Sequence, residues 1–367
     1  MDFPPNNIAQ NSLFQKISQP RRRPAKVRDT HITLAHGSGG KAMRDLIDDI
    51  FISNFDNPLL SQLEDQASFN LSTLLQQGDR LAFTTDSYVV DPLFFPGSDI
   101  GELAINGTVN DLAVSGAKPL YLTCSVILEE GLATETLRLV ANSMKAAAQK
   151  AGVQIVTGDT KVVPRGCADK LFINTAGIGI IPAGINISAH NIQPGDAIII
   201  NGEIGNHGAA ILIARGELAL ETDIESDCQP LHELVATILK VCPQVHAMRD
   251  ATRGGLATVL NEFAATSQVG ISLNEVSIPV REQVKGICEI LGLDPLYLAN
   301  EGKLVLVVKS EQAPTVLSAM KSHPLGQNAC IIGEVIASPP GVVLLKTPFG
   351  TERIVDMLVG EQLPRIC

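Results

Sequence analysis

The stretch from Thr134 to Lys161, TETLRLVANSMKAAAQKAGVQIVTGDTK, decides the fold. Thr134 to Ala151 reads as a long helix. Gly152 closes it, since a helix often ends on a residue that tolerates left-handed backbone. Val153 to Thr157 follows as a strand, and Gly158-Asp159-Thr160-Lys161 comes directly after it. A helix feeding a strand that ends in polar, glycine-bearing sequence is the unit of an α/β domain.

Working outward, Tyr121 to Leu128 reads as a buried strand. Asp99 to Ser115 reads as a helix, with Asp99 as N-cap, Glu102 three residues on, and Gly116 and Pro119 at its end. Arg80 to Val90 is a strand that runs into an acidic turn around Asp86 and Asp91. Further upstream, the strand-like run Ile32 to His36 is broken by Gly37-Ser38-Gly39-Gly40. Met43, Leu46, Ile47, Ile50 and Phe51 then recur at helical spacing. Phe172 to Ile181 completes a first unit, and Pro182 to Pro194 reads as a linker.

The pattern restarts with a strand at Ala197 to Ile200. Gly202, Gly205 and Gly208 feed a helix near Ala209 to Ala214. A helix from Leu256, a strand from Leu304 to Val308, and a hairpin of Val342 to Leu345 with Ile354-Val355 follow. The expected organisation is two α/β domains over residues 31–183 and 184–356. Mobile tails flank them over 1–30 and 357–367.

The bulk composition agrees. Of 367 residues, 45% are hydrophobic and 18% charged, which is globular rather than disordered. Aromatics are 4% and Trp is absent, so the core is aliphatic. A net charge of -11 disfavours nucleic acid and anionic membrane surfaces as partners. It leaves room for a nucleotide, because Mg²⁺ bridges carboxylates to phosphates. No apolar run approaches the roughly 20 residues that span a bilayer. The N-terminal tail lacks a signal-peptide core and carries Arg21-Arg22-Arg23, a possible docking arm. Seven scattered cysteines without a C-x-x-C pair point to a reduced, cytoplasmic setting with inert buried thiols.

Several motifs carry chemistry. The Gly37 to Gly40 loop at a helix start suits phosphate, although Ala35 and Ala42 stand where a P-loop needs Gly and Ser or Thr. Asp65, Asp86, Asp111, Asp159 and Asp250 lie beside strand ends, glycines or a helix-borne Asn. Singly each is an ordinary turn or cap former, but together they offer hard oxygen ligands for Mg²⁺. Asn106 and Asn110 sit one turn apart on the Asp111 helix, as a site or as a buried hydrogen-bond network. Arg249-Asp250-Ala251-Thr252-Arg253-Gly254-Gly255 joins guanidinium groups to a helix start, good equipment for an anion. Lys161 and Glu301 are acid–base candidates, with a surface salt bridge as the plain alternative. Cys367 closes the extended segment Pro364-Arg365-Ile366-Cys367. It reads as an exposed thiol whose thiolate Arg365 favours and a terminal carboxylate opposes.

In order, His36-Gly37-Ser38-Gly39-Gly40-Lys41, Thr84-Thr85-Asp86, Asn110-Asp111-Leu112-Ala113, Gly158-Asp159-Thr160-Lys161, Asp250-Ala251-Thr252-Arg253-Gly254-Gly255, Asn300-Glu301-Gly302 and Pro364-Arg365-Ile366-Cys367 occur along the chain. Together these motifs resemble the HypE family of hydrogenase maturation factors, the carbamoyl dehydratases, from about His31 to Cys367. Single pieces recur in the wider PurM-like superfamily of aminoimidazole ribonucleotide synthetase and selenophosphate synthetase. The resemblance implies two PurM-like α/β (α+β) domains, the first binding ATP and forming a homodimer around a shared β-barrel. It implies that a HypF carbamoyltransferase loads Cys367. ATP and Mg²⁺ then drive dehydration to an S-cyanate, and the cyanide passes to a HypC–HypD complex.

By the same match, Cys367, Lys161 and Glu301 are the catalytic residues, the last two as proton acceptors. His36, Gly37, Gly39, Gly40, Lys41, Asn110, Thr252, Arg253 and Gly254 would hold the nucleotide. Two rivals stay open. One is a sibling synthetase acting on a diffusible substrate, against which stands the lack of any cysteine before Cys124. The other is a non-catalytic carrier of the thiocarbamate.

Overall fold

The computed structural model describes residues 26–64, 66–216, 222–358, 360 and 365–367. Asp65 and residues 1–25, 217–221, 359 and 361–364 lie outside the described residues.

The run before the glycine loop is not the expected strand. Leu34–Gly37 is a 3₁₀ turn, and strand-like pairing is confined to a single bridge between His31 and Ala133. The reason is local. Thr33 N–H donates to His36 Nδ1 at 3.0 Å, a side-chain bond that competes with pairing. Helix α1 (Lys41–Leu46) follows, running on as a wider π turn over Ile47–Ile52.

Strands β1 (Arg80–Tyr88), β2 (Lys118–Glu129), β3 (Gln154–Val163) and β4 (Leu171–Ile181) form the first sheet, in the order β1-β4-β2-β3. Only β2 and β3 are parallel. That pairing needs a crossover, and the Thr134–Ala151 helix supplies it, ending as expected on left-handed Gly152. Strand β3 is longer than its apolar core suggests. Gly158-Asp159-Thr160-Lys161 lies within it rather than after it, paired to Cys124 through Ile127. The ladder of β2 holds these polar residues extended.

Two helices cover one face of this sheet: α2 (Ile100–Val114) and α3 (Thr134–Ala151). Helix α3 buries Leu137, Val140, Ala141, Met144, Ala147, Ala148 and Ala151, a single apolar stripe. Helix α2 is different, with thirteen of its fifteen residues buried, so it has no solvent face. Asp99 caps it, accepting from Gly101 N–H at 2.6 Å and Glu102 N–H at 3.2 Å. On the sheet's opposite face, Phe69 stacks on Tyr121 at 4.3 Å, while Leu81, Ile127 and above all Phe83, at 71% exposure, stay open.

The second sheet comprises β5 (Asp196–Ile200), β6 (Ala247–Asp250), β7 (Gly270–Asn274), β8 (Leu304–Lys309), β9 (Cys330–Ile336), β10 (Val343–Lys346) and β11 (Glu352–Val355). Its order is β11-β10-β7-β9-β5-β8-β6, with only β10 and β7 parallel. Helices α4 (Asn206–Ala214), α5 (His232–Val241), α6 (Gly255–Ser267), α7 (Glu282–Leu291) and α8 (Ala313–Lys321) surround it. Leu256, Leu260 and Phe263 of α6 pack on one face; α5 and α8 pack on the other. Central strands β5 and β8 are therefore buried on both sides and almost wholly aliphatic.

Helix α2 joins the two halves, lying against β1 and β4 on one side and α5 and β6 on the other. Asn110 is the tie. Its Nδ2 donates to the carbonyls of Gln229 and Glu301, both at 3.1 Å, and its Oδ1 accepts from Leu231 N–H at 2.7 Å. The side chain expected among the nucleotide ligands thus has its amide engaged in holding the second domain. Asn110→Ala leaves buried backbone groups unpaired and should cost about 2 kcal/mol in stability, read from urea denaturation.

Candidate active site

The candidate site lies where α2, the end of β6, the loop before β8 and the C-terminal segment meet. Packing puts Asp111 on the α2 face toward β1, where Thr84 O–H donates to it at 2.7 Å. Asp86, on the same face of β1 as Thr84, accepts from Tyr88 O–H at 3.2 Å. Asp250 ends β6, and Ala251 N–H, bonded to the Lys303 carbonyl, fixes the loop after it. Burial pushes the carboxyls of Asp111 and Asp250 up; the charge of Asp86 adds to the first, and those of Asp111 and Asp86 to the second. Burial also raises Asp86, opposed by its bond from Tyr88 and by Arg253.

Thr252 and Arg253 follow, with Gly254 at a φ of +70° capping α6. That left-handed turn brings the Arg253 guanidinium to Cys367, its Nε donating to Sγ at 3.1 Å. A cleft of about 590 Å³ runs past Asp111, Asp250, Thr252 and Arg253. Another of about 480 Å³ runs past Ser87, Arg253, Gly254, Tyr297 and Cys367. Arg253 borders both.

Glu301 is 3% exposed. Its loop is held by Asp227, which accepts from Glu301 N–H and Gly302 N–H and pairs with Lys303 at 2.8 Å. Gly302 is required here, because a Cβ would lie 1.9 Å from the Asp227 carbonyl. Burial, then Asp227, Asp250 and Asp86, raise the Glu301 carboxyl well above the usual range. Its Oε1 is buried without a hydrogen-bond partner.

The C-terminal segment is seated rather than exposed. Val89 N–H donates to the Cys367 carbonyl at 3.0 Å, and Asp91 N–H to that of Arg365 at 3.3 Å. His207 Nε2 bonds the Ile366 carbonyl at 2.8 Å, and Ile366 is buried. Arg365 does not serve the thiol. Its guanidinium pairs with Asp169 at 2.9 Å and Asp91 at 3.9 Å. The cation beside Sγ is Arg253, and it does not prevail. Burial and the charge of Glu301 push the Cys367 thiol up to about 12.

A second group of expected residues lies elsewhere. His36 is buried, bonded to Thr33, with Nε2 3.5 Å from Asp29. Gly37 presses on the edge strand β3, where a Cβ would meet that of Val162 at 2.8 Å. Gly39 and Gly40 are exposed, and Lys41 pairs with Asp45 at 2.6 Å. Asp159 and Lys161, 3.0 Å apart, register with Ser125 and Ile127 on the open face of the first sheet. Asp86, Thr84 and Glu301 lie across that sheet. One chain therefore brings together Asp86, Asp111, Asp250, Thr252, Arg253, Gly254, Glu301 and Cys367, but not Lys161, Asp159 or the glycine loop. Among the described residues, no three acidic, His or Cys side chains converge closely enough to cage a metal by themselves.

His207, Ser226 and Asp227 were not anticipated. A histidine between two glycines at a helix start, Gly205-Asn206-His207-Gly208, was the available signal.

Two such sheets meeting over a carboxylate-rich groove define a class. The family description "AIR synthase related protein, N-terminal domain" matches residues 64–181, and its C-terminal counterpart matches 193–346. Within that class the chain belongs to the HypE family of carbamoyl dehydratases, and it is an enzyme of that kind. It is 54% identical over 341 residues to carbamoyl dehydratase HypE of Rhodobacter capsulatus, covering 93% of this chain and 99% of that one. The crystal structure of Escherichia coli HypE matches with a TM-score of 0.85 and 53% identity, over 89% of this chain and all of that one. A HypE crystallised in complex with ATP matches at 0.86 and 48%, over 91% and 99%. HypE from a HypE–HypF complex matches at 0.74 and 48%, over 84% and 98%.

A thiol raised to about 12 is almost wholly protonated at neutral pH, so the sign of the effect is clear. Alkylation of Cys367 by iodoacetamide should lag behind that of exposed Cys167 at pH 8 and climb through pH 10. Arg253→Ala should slow it further. Peptide mass spectrometry over a pH series reads both effects.

Proposed function

We propose that this chain uses ATP to dehydrate a carbamoyl group carried on Cys367, giving an S-cyanate. The observation that carries the reading is Glu301 Oε1, a buried acceptor with no partner beside the seated thiol. An S-carboxamide there would place N–H donors where Glu301 needs them. The carbamoyl oxygen attacks the γ-phosphorus, ADP leaves, and nitrogen loses one proton. The C–O bond then breaks, phosphate departs, and loss of the second nitrogen proton leaves S–C≡N. Glu301 takes a proton at Oε1; its raised pKa makes it a willing acceptor once ionised. Arg253, at the thiol and on both clefts, steadies the oxygen that becomes phosphate. The solved relative holding ATP supports the choice of nucleotide.

The crowded charges of Asp86, Asp111 and Asp250 fit Mg²⁺ if phosphate oxygens complete its shell. Bound there, the ion supplies Lewis-acid stabilisation to the phosphates. A carbamoyltransferase of the HypF kind loads Cys367, in keeping with the HypE–HypF relative, and a HypC–HypD complex takes the cyanide. Since the seated thiol is half-buried and bonded, loading requires the segment to leave its seat.

A second copy of the chain covers the open sheet face bearing Phe83 and Ile127. In that homodimer Asp159, Lys161 and the Gly37 loop work from the interface, with the nucleotide held between copies. Phe83→Glu should shift the protein to monomer in sedimentation velocity. Carbamoylated protein given Mg-ATP should lose one water from its C-terminal peptide, read by intact mass. Glu301→Gln should accept the carbamoyl group but dehydrate it on the order of a hundredfold more slowly. Carbamoylation of Cys367 with no loss of water in the unaltered protein favours a carrier instead.

A further inference from the structure

His207 lies at the start of α4 with no exposure to solvent. Phe95 packs against its ring at 5.4 Å with the two planes near perpendicular. Nε2 bonds the Ile366 carbonyl at 2.8 Å, and a carbonyl can only accept, so Nε2 carries the ring proton. Nδ1 is 2.8 Å from Ser226 Oγ, which itself accepts from Cys228 N–H at 3.2 Å. The serine hydroxyl is therefore free to donate to Nδ1, which fixes the neutral tautomer. Burial holds the ring neutral, acting against its bond to Ile366.

The same Nε2 is 3.9 Å from Glu301 Oε1, the atom that has no partner. One buried donor thus stands between two acceptors. When the C-terminal segment is seated, Ile366 takes the N–H and Glu301 Oε1 is left free. When the segment leaves, the N–H loses that acceptor. The protein acceptor at hand is Glu301 Oε1, 3.9 Å away and without a partner of its own, and the cost of an unpaired donor favours that exchange.

We propose that His207 is a positioning residue that exchanges one hydrogen bond between Ile366 and Glu301, freeing the Glu301 carboxylate only while the Cys367 segment is seated. The proposal rests on the dehydratase reading for its purpose, but not for its geometry. Water removal is then confined to the time when a loaded thiol is in place, and Glu301 is occupied while the segment is away. No charge need change on the ring. The switch is one of partners alone.

The test compares His207→Leu with His207→Gln, since glutamine keeps an amide donor and leucine keeps only bulk. In unloaded protein, His207→Leu should raise iodoacetamide labelling of Cys367, relative to Cys167 in the same molecules, by about tenfold, the worth of one buried hydrogen bond to a local opening. His207→Gln should restore most of the difference. In single turnover of carbamoylated protein with Mg-ATP, the leucine variant should dehydrate more slowly, and the glutamine variant should recover.

A measurement that needs no ring substitution guards against misfolded variants. In protein labelled with ¹⁵N-histidine, deletion of residues 365–367 should keep the proton on Nε2. It should also move its N–H resonance, because the acceptor changes from an amide carbonyl to a carboxyl oxygen. An N–H resonance that does not move, or Cys367 labelling equal in the leucine variant and the unaltered protein, overturns the latch. If labelling and resonance behave as stated but no water is lost from the carbamoylated protein, the latch stands and the dehydratase reading falls.

Discussion

The whole arrangement depends on burying helix α2 completely between two sheets. A helix with no solvent face cannot choose which side to present, so every polar residue on it needs a partner in one domain or the other. Thr108 reaches Thr175 on β4, Asp111 takes the Thr84 hydroxyl on β1, and Asn110 holds Gln229, Leu231 and Glu301. These bonds do two things together. They fix the angle between the domains, and they place an acid from each domain along one groove. The site results from how the halves are docked rather than from either half alone.

Docking of this kind also explains the site's electrostatics. Asp86, Asp111, Asp250 and Glu301 come from four separate segments, and each would be comfortably ionised on a surface. Gathered into a partly dry groove, all four are pushed up. Arg253 acts on Asp86 and Glu301 and Arg249 on Asp250, and Arg249 is already paired with Glu262. Acids crowded together with little counter-charge are a poor structural element but a good receptor for a cation carrying phosphates.

Much of this was legible in the sequence, for physical reasons that can be named. Helix α3 and its glycine stop were readable because a 3.6-residue stripe and a left-handed cap are local signals. The Asp99 cap of α2 was readable in the same way, and so was the hairpin of β10 and β11. What local pattern could not show was which face of a strand a residue occupies. Lys161 and Glu301 look equivalent as lone ionisable groups near strand ends, yet alternation along β3 sends Lys161 to the open face. The Ile32 to His36 run was misread because a side-chain bond to His36 outweighed strand propensity. Arg365 was credited with tuning the thiol by sequence adjacency, while the guanidinium that touches Sγ arrives from more than a hundred residues away. His207 and Asp227 were invisible because their meaning lies wholly in long-range contacts.

The seating of Cys367 bears on the protein's chemical survival as much as on its turnover. A reactive carrier thiol is a liability wherever peroxide or stray electrophiles are present, since attack on them proceeds through the thiolate. Held at a pKa of about 12 and folded against Val89 and Arg253, the resting sulfur is nearly all S–H at neutral pH. If Cys367 carries the group as proposed, an enzyme awaiting its next load stores its carrier in a chemically quiet form. Oxidative damage should fall mainly on molecules caught in the act of exchange.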